Sequence, residues 1–117
     1  MKALAGVALA LLATTTATAQ ANPSFSEYKV STEVAADLAA LCRVEVQQEY
    51  GERCDRFYSH MESHMALYAQ FANRLASEGN DAYGDADIVD LEMHQRTVSR
   101  LNESMQYINT MAELHLR

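Results

Sequence analysis

Proline is almost missing from this chain of 117 residues: Pro23 is the only one, so no ring breaks a helix anywhere downstream. Glycine is nearly as scarce, at four residues, and no glycine-rich loop follows a strand pattern, which removes phosphate-cradling nucleotide motifs. Basic residues are few, with nine Lys and Arg against 16 Asp and Glu and a net charge of −7. That balance works against binding nucleic acid or anionic lipid and suits a basic protein or a cation. The one long uncharged apolar run, 3–13, is far short of the roughly 20 residues a membrane helix needs. Two cysteines without a Cys-x-x-Cys leave no redox motif and no haem attachment.

The apolar run reads as part of an export leader. Lys2 supplies the positive start, and Ala17-Thr18-Ala19 or Ala19-Gln20-Ala21 supplies the small residues that a signal peptidase reads. The expectation is a signal peptide over 1–21, cleaved after Ala19 or Ala21, with no cysteine at either point for a lipid anchor. The protein would then be periplasmic or secreted, in a bacterial envelope, with no membrane insertion after cleavage. Cleaving 19 or 21 of the 117 residues leaves 98 or 96, enough for one compact domain. Loss of Lys2 takes the charge to about −8.

In an oxidising compartment, Cys42 and Cys54 are expected to pair. On one continuous helix they would lie about 18 Å apart. A disulfide needs Cα atoms roughly 4.4–6.8 Å apart, so the chain must reverse between them. A turn centred near Gln48, with Gly51 beside it, sets the two cysteines opposite each other on antiparallel helices. The bond would staple that first hairpin.

Apolar residues recur at helical spacing throughout the rest. Val30, Val34, Leu38, Leu41 and Cys42 form the first stripe. Cys54, Phe57, Met61, His64, Tyr68, Phe71 and Leu75 form the second, widened by Tyr58, Met65 and Ala72, with Gly79 as a stop. The polar stretch 78–87 reads as a loop ending in a cap at Asp85 or Asp87. Leu91, His94, Val98, Leu101, Met105, Ile108, Ala112 and His115 form the third stripe. These predict an all-α, small antiparallel three-helix bundle over 31–117, preceded by a flexible lead-in over 22–30 on which Phe25 and Tyr28 are free to dock.

The most suggestive chemistry is His60-Met61-Glu62-Ser63-His64-Met65. His60 and His64 lie one helical turn apart, the separation two imidazoles need to share copper or zinc. Met61 and Met65 would add thioethers suited to Cu(I), although methionine is also ordinary core filler. Folding the second helix on the third about residue 82 brings Glu103 and Arg100 to the same level and Glu33 across from the first helix. His94 falls near position 70, about 9 Å or more away along the axis. The acidic run 81–92 fails the calcium-loop pattern, because Ala86 stands where glycine is required.

Nothing presents a nucleophile: Ser59 and Ser63 diverge from the histidines that follow them by roughly 100° on a helix. No catalytic residue and no cofactor are expected, and the chain is not read as an enzyme. The leading function is binding of a macromolecular partner, a protein of basic character, as an accessory subunit, inhibitor, immunity factor or chaperone-like module. A homodimer is the alternative use of the same surfaces. Tyr50, Tyr83 and Tyr107 are the candidate aromatic anchors. The second function class is a periplasmic copper- or zinc-binding protein using His60 and His64 with Met61, Met65 and Glu103.

Overall fold

The computed structural model describes residues 23–48 and 51–116, and the regular structure there is entirely helical. The expected leader, 1–21, and Tyr50 lie outside the described residues. Helix α1 spans Phe25–Val46, α2 Glu52–Glu78 and α3 Ile88–Leu116, with a 3-10 turn over Gly79–Tyr83. The three α-helices pack as an up-down-up bundle. Cys42 meets Cys54, Ser31 meets His64 and Phe25 meets Phe71, which fixes α1 and α2 as an antiparallel hairpin. Helix α3 runs alongside α1 in the same direction, with Arg43 donating to the Ser104 hydroxyl (3.4 Å) and Gln47 to the Tyr107 hydroxyl (2.8 Å).

Capping accounts for the helix boundaries. The Glu27 N–H donates to Ser24 Oγ (3.1 Å), and the Ser24 N–H donates back to the Glu27 carboxylate (3.4 Å). This capping box starts α1 at Phe25, so 25–30 is helix and not a lead-in, and buried Phe25 and Tyr28 anchor that first turn. Gly51, the N-cap of helix α2, supplies no side-chain cap. Glu45, at the end of α1, takes that role by accepting from the N–H groups of Arg53 (3.1 Å) and Cys54 (3.0 Å). Loss of water raises its carboxyl pKa, but these donors outweigh that and hold it below the ordinary value. Gly79, at φ 64°, ends α2, and Asp87 caps α3 by accepting from the Asp90 N–H (2.8 Å).

The disulfide joins Cys42 to Cys54 at a Cα–Cα distance of 4.4 Å. Both cysteines are fully buried among Val46, Phe57 and Ile108. A second core, of Phe25, Tyr28, Phe71 and Ala82, fills the opposite end. Between the two lies a polar waist of Ser31, Thr32 and His64, all buried.

The buried face of α1 differs from the stripe predicted for it. Val30, Val34 and Leu41 are exposed, and the covered side is Ala35, Ala36 and Ala39 with Cys42, Val46, Ser31 and Thr32. Helix α1 is central, and both α2 and α3 pack on it, whereas α2 and α3 barely approach each other. Small residues let two helices come close to one. Tyr68, expected in the core stripe of α2, and Met65, expected to widen it, are half exposed for the complementary reason: no neighbouring helix closes over them.

Candidate functional site

The gap between α2 and α3 forms a groove of about 340 Å³, floored by Tyr28 and Thr32 of α1. Met61, His64, Met65 and Tyr68 line the α2 wall, and Val98, Leu101, Asn102 and Met105 line the α3 wall. A smaller recess of about 190 Å³ continues it past Tyr28 and Tyr68 to Phe71, Leu75, Tyr83 and His94. Another recess, of about 510 Å³, lies at that same end, beside Phe25 and Tyr83 and between Lys29, Arg74 and Asp90. Its basic groups are already committed, Arg74 to Glu78 and the Pro23 carbonyl and Lys29 to Glu33.

His64 is the focus of the groove. It is 3 % exposed, its Nδ1 lies 2.9 Å from Ser31 Oγ, and its ring stacks on Tyr28 at 5.7 Å. His60 stacks on the His64 ring at 6.0 Å, with its own Nε2 at 2.9 Å from the Ser31 carbonyl. A carbonyl only accepts, so His60 carries its proton on Nε2. We assign the Ser31 hydroxyl hydrogen to the acceptor that these groups offer it, His64 Nδ1, and with that assignment the His64 proton is on Nε2. None of the described residues bonds that Nε2. Burial, then the nearby His60 and His94, depress the His64 pKa, so the ring is neutral at pH 7.

His94 belongs to the second recess. It meets Phe25 and Tyr28 edge-on at 5.2 and 5.1 Å, and burial and then Lys29 depress its pKa while Glu33 opposes them. Its Nδ1 is sealed from solvent with no hydrogen-bond partner among the described residues. Tyr28 lies between the two imidazoles, in contact with both, and burial raises its own pKa.

The residues singled out in the sequence distribute unevenly. Met61, His64 and Met65 share the groove, but His60 lines the outer side of the α1–α2 pair with Val30, Val34 and Leu67. Glu103 is exposed on α3 and lines neither. No group of three or more His, Cys, Asp and Glu able to hold a metal ion occurs among the described residues, so a His60–His64–Glu103 centre is not assembled. Tyr83 is packed against Phe25 and Phe71 (5.2 and 5.7 Å), and Tyr107 lies under the Arg43 guanidinium at 4.6 Å, so both rings lie against the bundle. Ser31, Tyr28 and Met105 are the site residues that sequence reasoning passes over. Only the helical spacing of Met105 in the third stripe offered a signal.

The Ser31–His64 contact is a hydroxyl–imidazole pair, yet Ser31 is 7 % exposed and no carboxylate among the described residues bonds His64. The contact holds the ring in position. No protein-family model, curated protein or solved structure matches the chain.

Proposed function

We propose that the protein is an exported partner-binding module, which docks an amphipathic helix of a basic protein on the outer face of α1. The observation that carries this is the line of exposed side chains Val30, Val34, Leu41 and Val44, each 40 to 56 % accessible. Their spacing puts them on one side of the helix, opposite the alanines that α2 and α3 cover. Scattered exposed apolar residues are ordinary, but an aligned set is the mark of an interaction surface. The stripe runs into the outer groove of about 470 Å³ beside Leu67 and His60. Glu27, Glu33 (paired with Lys29) and Asp37 (3.7 Å from Arg100) flank it, and the chain's net charge of −7 favours a basic occupant.

A photo-crosslinking residue at Val34, introduced in the producing cells, tests this. The expected adduct is a basic protein that, once purified, binds the wild-type domain in a salt-dependent manner and binds a Val34→Asp/Leu41→Asp variant about tenfold or more weakly. An adduct with a second copy of the chain would replace this reading by self-association. Binding that is indifferent to both substitutions, in a variant that circular dichroism shows to be folded, would overturn the assignment of the face.

A further inference from the structure

The groove on the other side of α1 gathers a different chemistry. Three thioethers, Met61 and Met65 from α2 and Met105 from α3, line the same 340 Å³ space as the imidazole of His64. The geometry points to a Cu(I) site in this groove, with His64 Nε2 and the three methionine sulfurs as the donor set. This goes beyond the docking face and does not depend on it, since the two lie on opposite sides of α1.

Four properties support that set. Thioether and imidazole donors are soft or borderline, and together they favour Cu(I) over Ca²⁺ or Mg²⁺. Zinc would call for carboxylate, thiolate or several imidazoles, and no cluster of three such residues exists among the described residues, while both cysteines are tied up in the disulfide. The His64 ring is held in place before any ligand arrives: Ser31 Oγ sits 2.9 Å from Nδ1, and Tyr28 and His60 stack on it at 5.7 and 6.0 Å. Such outer contacts are what fix a metal-ligating histidine in its productive orientation. Finally, Met61 and Met65 sit one turn apart with His64 beside Met65, so one stretch of α2 supplies three donors and Met105 closes the set from α3.

The proton balance is simple. His64 is neutral with its proton on Nε2. On binding, Nε2 gives its lone pair to the metal, and the ring proton resides on Nδ1. The Ser31 hydroxyl, which donates to Nδ1 in the free protein, rotates to accept from it instead. No electron is transferred and no net proton is released by the imidazole.

The test is an anaerobic titration of the folded protein with Cu(I), kept reduced by ascorbate and competed against a bicinchoninate indicator. One Cu(I) should bind per chain, and Zn(II) should not. Long-range ¹H–¹⁵N spectra should show the His64 proton moving from Nε2 to Nδ1 as the metal is added. Met61→Leu/Met105→Leu should weaken binding about tenfold or more, because apolar volume is kept while two donors are lost. Ser31→Ala, which removes a positioning contact, should cost about tenfold or more in affinity. His64→Gln should abolish the site, and Glu103→Gln, at an exposed position outside the groove, should leave it intact. Circular dichroism of each variant separates loss of donors from loss of fold. Failure of the wild-type protein to bind Cu(I), an unchanged His64 tautomer, or affinity that survives the double methionine change would each overturn the assignment.

Discussion

Replacing Cys42 and Cys54 together by alanine is the sharpest test of how this domain is held together. The pair closes a loop with a sequence separation of 12, between helices whose Cα atoms come to 4.4 Å. Chain-entropy arguments assign such a loop about 3 kcal/mol, through the conformations that the bond removes from the unfolded ensemble. Small domains have only about 5–15 kcal/mol in total, so this is a large share. At about 4–8 °C per kcal/mol for a domain of this size, the melting temperature should fall by roughly 12–24 °C. Alanine is the better probe because both sulfurs are sealed in the core: a serine there would add the cost of an unpartnered buried hydroxyl, about 1–3 kcal/mol. The assay is urea unfolding of the oxidised wild type, the reduced wild type and the double variant. The reduced wild type should lie about 3 kcal/mol below the first, and the double variant lower still by the packing that two buried sulfurs supply. A loss under about 1 kcal/mol would refute the reasoning, since the hairpin would then be held by helix packing alone.

Two further outcomes follow from the two ends of the groove. His64 has a folded-state pKa depressed below 6.5, so above that pH both states carry a neutral ring; below it the unfolded chain binds a proton that the folded one refuses. Stability should therefore fall with acidification from about pH 6.5 downward, at up to about 1.4 kcal/mol per pH unit, with His94 acting in the same direction, and denaturant titrations of His64→Gln should show a shallower slope. Phe71, at 2 % exposure against Phe25, Tyr28 and Tyr83, should cost about 3–5 kcal/mol on truncation to alanine, whereas half-exposed Tyr68→Ala should cost far less in the same thermal melts; equal losses would mean that the groove is closed in solution.

The helices, their order and their register were legible because each rests on a local or periodic signal. A turn near residue 48 follows from the cysteines. Gly79 stops α2 and Asp87 starts α3 by chemistry confined to a few neighbouring residues. What could not be read is anything decided by which helix lies against which. Hydropathy ranks valine above alanine, so the α1 stripe was placed on Val30, Val34 and Leu41, when two close neighbours required the small face of Ala35, Ala36 and Ala39. The role of Ser31 depends on His60 and His64, about thirty residues away in sequence, and no spacing rule connects them. Tyr83 likewise reads as a loop tip until the start of α1 is placed beside it, where Phe25 covers its ring.

These misreadings share one physical cause, and it also produces both candidate sites. Small side chains on the inner face of α1 draw α2 and α3 in toward its backbone, and each helix spends its best packing surface there. The long side chains left on α2 and α3, Met61, Met65, Tyr68 and Met105, then border an open groove instead of interlocking across it. On α1 itself the inner face is filled by alanine, so its larger apolar residues are left to the side that no helix covers. Exchanging alanine for valine between the two faces would thicken the centre and bury the outer stripe's chemistry inside. The outer stripe and the methionine groove are thus two consequences of placing the small residues of one helix on the inside.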